Sequence, residues 1–110
     1  IIDYNKMQSD DRNDAIMRLE PLAAKFRAFD WAVAEIDGHD ISEILGALRR
    51  ASSTHGRPSL LIANTVKGKG VPYMENIPTW HGSVKLTQQQ AEEALAALGA
   101  TREQITEYLA

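Results

Sequence analysis

The stretch from Trp31 to Asn64, "WAVAEIDGHDISEILGALRRASSTHGRPSLLIAN", decides the fold. Its opening, residues 31–36, is short and almost continuously apolar, which predicts a strand buried on both faces. "DGHD" then turns the chain. Asp40 predicts a helix N-cap, with Glu43 three residues on to close a capping box. Ile41, Ile44, Leu45 and Leu48 are spaced as one apolar stripe of that helix. The helix is expected to end near His55-Gly56, and Pro58 to open a second buried strand, "SLLIAN", residues 59–64. Two apolar strands joined by a helix form the unit of a parallel sheet with a right-handed crossover.

Upstream, Ile1 to Tyr4 reads as the end of another strand and residues 5–18 as mostly polar loop. Pro21 suits the first position of a helix, whose Leu22, Phe26 and Phe29 share one face. Downstream, two helices close the chain. Thr87 with Gln90 opens the first, Ala91, Ala94, Leu95 and Leu98 form its apolar face, and Gly99 stops it. Thr101 with Gln104 opens the second, which is expected to bury Ile105 and Leu109. The predicted fold class is therefore α/β, a parallel sheet with helices on both faces. Three strands make a small sheet, and the chain opens at Ile1 without a Met, inside an apolar run. The expectation is a piece of a longer polypeptide.

Composition narrows the class of function. Apolar residues make up 44% and charged residues 25%, as in an ordinary soluble globular domain. No apolar run approaches a membrane span, no signal peptide is visible, and there is no cysteine for a disulfide or thiolate metal site. These features fit a cytoplasmic protein with no membrane partner. A net charge of -3 argues against a nucleic-acid surface.

Ligands of open parallel sheets bind beyond the carboxyl ends of the strands. Three polar segments follow the predicted strands there: "DYNKMQSDD" (3–11), "DGHD" (37–40) and "NTVKGKGVPYMENIPTWHG" (64–82). So long a loop inside a compact domain is functional or disordered. Lys67-Gly68-Lys69-Gly70 lacks the spacing of a nucleotide P-loop. Glycine nevertheless lets backbone approach a ligand, and lysine supplies a point charge for phosphate. The plain alternative is a solvated hairpin. Trp80 argues instead for an anchored loop, which makes His81 a candidate acid/base or phosphate donor. His55 reads as a partner of a helix C-terminus. His39, Asp37 and Asp40 read as turn and cap residues, and Asp10, Asp11, Arg12 and Asp14 as a solvated loop.

In this order, "IIDYNKMQSDD", "FRAFDWAVAEIDGHDISEIL", "TVKGKG" and "WHG" resemble the later part of the thiamine-diphosphate domain of transketolases. The resemblance covers nearly the whole chain. It implies that residues 1–110 are the C-terminal part of the diphosphate-binding domain, with 87–110 as terminal helices. The implied cofactors are thiamine diphosphate and Mg²⁺ (or Ca²⁺). Asn5 would ligate the metal through its side chain and Met7 through its carbonyl, and Asn5 would thereby help hold the cofactor. A neutral amide and a carbonyl fill octahedral positions beside a diphosphate without adding repulsion. An upstream Gly-Asp-Gly of the family, which would supply a further ligand, is not in this sequence. Lys67 would contact the cofactor, and His81 the diphosphate and the substrate, as the catalytic residue. Ser9 stands where an apolar side chain often faces the cofactor, so its contact is not carried over. Lys69 and His39 receive no role.

The implied reaction is transfer of a two-carbon ketol unit from a ketose phosphate to an aldose, in the pentose phosphate branch of carbohydrate metabolism. The chain stops soon after the WHG, which favours the split type. Its partner would then be a C-terminal transketolase subunit carrying the pyrimidine-binding domain, in a homodimer or heterotetramer. The chain alone is expected to be inactive. The alternatives are a 1-deoxyxylulose-5-phosphate synthase-like enzyme, disfavoured by Asp-Tyr-Asn-Lys and Trp80, and a non-catalytic phosphate-binding α/β module.

Overall fold

A computed structural model describes residues 1–110 except Asp10 and Ser83, and of His81 the backbone alone. The chain divides into two compact units, Ile1–Thr65 and Val66–Ala110. The first contains β1 (Ile2–Tyr4), β2 (Met7–Gln8), β3 (Asp11–Arg12), α1 (Asn13–Ile16), α2 (Leu22–Ala28), β4 (Ala32–Asp37), α3 (Ile41–Ser53) and β5 (Ser59–Asn64). Its sheet runs β1-β5-β4, with both pairings parallel. Register places Tyr4 and Asp37 on either side of Asn64, so the three strands end level. The α/β class with a parallel sheet holds.

Alternation along β5 explains why helices cover both faces. Leu61 and Ala63 join Ile36 in a core against Ala47, with Ile44 and Ala51 of α3 packed on it. Ile62, 2% exposed, points the other way and shares a cavity with Leu22, Ala23 and Glu35 on the α2 side. Complete burial of one such side chain contributes about 1.5–3 kcal/mol. Phe26 of α2 packs edge-on against Trp31, ring centroids 5.4 Å apart, and so fixes the entry to β4. Tyr4 donates a short hydrogen bond to Glu20, tying β1 to the segment before α2. Burial, then the Glu20 carboxylate, pushes the Tyr4 phenol up to about 12.

Several expectations shift. Residues 5–18 are not mostly loop: β2 and β3 pair antiparallel, and α1 follows. Among the described residues β4 pairs with β5 alone and so lies at an edge, and of its residues only Ile36 is buried, so it is not buried on both faces. Its Glu35 is exposed and meets Arg27 at 3.4 Å. Pro21 precedes the helix as its cap residue instead of starting it. Phe29 falls beyond the last turn of α2 and is 77% exposed. On α3 the buried line is Ile44, Ala47 and Ala51, while Ile41, Leu45 and Leu48 are exposed. The side of α3 that faces Ile36, Leu61 and Ala63 is the one carrying its alanines. Asp40 caps α3 by accepting from the Ser42 and Glu43 N–H groups. Glu43, however, accepts from the Asp37 N–H at 2.8 Å, so it braces the end of β4 instead of closing a box on Asp40.

The second unit holds the long loop, a 3-10 turn (Pro78–His81), α4 (Gln88–Ala97) and α5 (Arg102–Tyr108). Both threonine–glutamine capping boxes form. Gly99, at φ 87°, ends α4 with its N–H on Ala96 and that of Ala100 on Leu95. That is the paired bonding of a Schellman stop. Leu98 and Leu109 are exposed rather than buried, because each lies in the cap residue past its last helical turn.

Candidate cofactor-binding site

The carboxyl edge of the sheet is knit by its own hydrogen bonds. The Gly38 N–H donates to the Asn64 carbonyl at 2.8 Å, and the Asn64 amide to the Ile36 carbonyl at 3.3 Å. The Thr65 N–H reaches the Tyr4 carbonyl at 3.4 Å, and the Thr65 hydroxyl donates a short bond to Asp3. A Cβ on Gly38 would lie 2.4 Å from the Thr65 methyl, so only glycine lets the β4 turn approach the end of β5.

Asn5 and Met7 are brought together at this edge. Lys6 takes a left-handed conformation (φ 63°), which folds the chain directly after β1. The Asn5 side-chain oxygen then accepts from the Met7 N–H at 2.9 Å. Asn5 is half-buried and Met7 is 8% exposed. The turn is held from outside by the Asn13 N–H, which donates to the Lys6 carbonyl at 3.0 Å. Lys6 itself lines a separate cleft of about 400 Å³ with Arg12, Arg18, Asp14 and Glu20.

The chemistry of these donors fits a hard cation shared with an anionic ligand. An amide oxygen has two lone pairs. Met7 uses one, which fixes the direction of the other. Among the described residues no three His, Cys, Asp or Glu side chains group as ligands. A cation here would draw on neutral amide and carbonyl oxygens and on the ligand's own charge.

In the second unit the loop is closed, not an open solvated hairpin. The Asn76 N–H donates to the Lys67 carbonyl at 2.9 Å, and the Gly70 N–H to Glu75 at 2.9 Å. Gly68, at φ 74°, sits where a Cβ would meet the Met74 carbonyl at 2.7 Å. Lys67 is half-buried and Lys69 exposed. Trp80 packs on Tyr73, ring centroids 5.3 Å apart, and anchors the segment as its bulk suggested. The His81 backbone closes the 3-10 turn, and its side chain lies outside the described structure. Motif spacing does not single out Asp3, Gly38, Thr65 or Tyr73. Gly38, within "DGHD", and the aromatic Tyr73 within a polar loop were the signals that could have found them.

The family described as the thiamine diphosphate binding domain of transketolase matches residues 1–107. The chain is 45% identical over 96 residues to the 6-deoxy-6-sulfo-D-fructose transketolase subunit SqwG of Clostridium sp. (strain MSTE9). That match covers 87% of this chain and 34% of the relative. Over 95 residues it is 41% identical to one of the subunits of the apulose-4-phosphate transketolase of Phocaeicola vulgatus, covering 86% and 34%. The crystal structure of transketolase from Campylobacter jejuni matches with a TM-score of 0.77 at 29% identity, over 88% of this chain and 15% of that one. The chain thus spans about a third of the length of the two bacterial relatives it matches in sequence.

Proposed function

Because this chain belongs to the transketolase family of thiamine diphosphate-binding domains, we propose that it forms the diphosphate and metal end of an enzyme transferring a two-carbon ketol unit. The donor is a ketose carrying an anionic group and the acceptor an aldose. The names of the relatives, with a phosphate on one sugar and a sulfonate on another, support that class. A partner subunit or segment bearing the pyrimidine-binding domain completes the site. Thiamine diphosphate, when bound, supplies the nucleophile and the electron sink of the reaction.

The residues of this chain then have separate tasks. Asn5 and the Met7 carbonyl hold Mg²⁺, and the knit strand ends keep them still. Lys67 offers a fixed positive charge to the diphosphate, in ground and transition states alike. His81 holds phosphate and donates a hydrogen bond to the substrate oxygen as negative charge develops there. The observation that supports this reading is the Asn5–Met7 turn, in which the Asn5 amide oxygen is held by the Met7 N–H directly after β1, at the carboxyl edge of a parallel sheet.

Titrating thiamine diphosphate with Mg²⁺ into the intact enzyme tests it. Asn5→Leu should weaken Mg²⁺-dependent affinity by on the order of 10- to 100-fold. Asn5→Asp, which keeps an acceptor for Met7, should retain more of it. Unchanged affinity in the leucine variant removes Asn5 from the site.

A further inference from the structure

Tyr73 joins two elements of the second unit that no motif connects. Its hydroxyl donates to the carbonyl of Gln90, in the first turn of α4. Its ring lies 5.3 Å from that of Trp80, tilted by 59°. Gln90 is itself fixed by the capping box with Thr87, so the hydroxyl bonds to a rigid helix start. Trp80 belongs to the 3-10 turn that ends at His81. That turn has no side-chain cap at Ile77 and an internal bond from the Trp80 N–H to the Ile77 carbonyl at 3.2 Å. One short turn fixes little by itself, since its hydrogen-bond geometry is poor. The aromatic contact is the additional restraint. Tyr73 also sits inside the ring closed by Lys67 and Asn76, so the same residue ties the lysine's loop to the histidine's turn.

We propose that Tyr73 is the positioning residue of this loop, holding the Trp80–His81 turn against the start of α4 and so fixing the backbone that carries His81. This rests on the role given above to His81. Tyr73 touches no reacting atom and acts through Trp80. Burial, then Glu93, pushes the Tyr73 phenol up from its ordinary value. The ring contact and the hydrogen bond act together, one on the turn and one on the helix.

Two measurements test it. These 110 residues hold two tryptophans, so a Trp31→Phe background of the intact enzyme leaves Trp80 as their one reporter, and Trp80→Phe gives the baseline to subtract for any outside them. In that background Tyr73→Leu should shift Trp80 emission to the red and increase its quenching by acrylamide. Tyr73→Phe, which keeps the ring and loses the bond to Gln90, should fall between. Emission unchanged in both variants overturns the anchoring. In the intact enzyme, saturated with thiamine diphosphate, Tyr73→Leu should lower turnover by up to on the order of 100-fold, as a small misplacement does. Tyr73→Leu with His81→Ala should then be no slower than His81→Ala alone, since the two act as one unit. Additive losses, or full turnover in Tyr73→Leu while His81→Ala is slow, overturn the positioning role. If His81→Ala alone leaves turnover intact, the role of His81 falls and this inference with it, and the fluorescence shows separately whether the anchor exists. Tyr73→Phe, the mildest change, gives both readouts should the leucine variant fail to fold.

Discussion

Gly38 is the residue on which the carboxyl edge depends. Its backbone is not in the left-handed region, so its need is for space and not for conformational freedom. An added methyl would meet the Thr65 methyl at 2.4 Å and the Ala63 Cβ at 3.1 Å. Gly38→Ala should therefore destabilise the protein by about 1–3 kcal/mol, the usual cost of overpacking. Thr65→Ser removes the offending methyl and keeps the hydroxyl that donates to Asp3. The double variant should recover part of the loss in urea unfolding, and recovery of none would place the strain elsewhere. Asn5 works at the same scale by a different device. In the proposed metal site, a side chain that already satisfies its neighbour's N–H would lose less entropy on ligation.

At the scale of the element, α3 shows periodicity and packing diverging. Ile41, Leu45 and Leu48 have helical spacing, and so do Ile44, Ala47 and Ala51. Both stripes specify a helix, but they lie on different sides of it. The sheet takes the smaller one, with Ala47 set among Ile36, Leu61 and Ala63. Ala47, 1% exposed, is packed with Ile36, Leu61 and Ala63, and Ala47→Leu should cost about 1–3 kcal/mol. Leu45, 48% exposed, should tolerate glutamine within about 0.5 kcal/mol. Urea midpoints of the two variants check the pair. Equal losses would mean that the larger stripe faces the core.

On the scale of the whole molecule, the chain carries Asn5, Met7, Lys67 and His81 but no Gly-Asp-Gly, and it spans about a third of the SqwG subunit it resembles. Purified alone, the 110-residue chain should transfer no ketol unit, and measurable transfer free of other chains would refute that. The parallel βαβ core, the helix caps at Asp40, Thr87 and Thr101, and the stop at Gly99 were legible in the residues. Each rests on local chemistry: an apolar run, a hydroxyl or carboxylate three positions before an N–H, a glycine free to take positive φ. The family was legible too, because its motifs keep order along the chain whatever the packing. Folding alone revealed which stripe of α3 is inside, that among the described residues β4 pairs on one side only, that Glu43 reaches past Asp40 to Asp37, and that Tyr73 packs on Trp80. These depend on how close two surfaces come and on which neighbour arrives first. Such distances are set by side chains far apart in sequence, and no spacing along the chain records them.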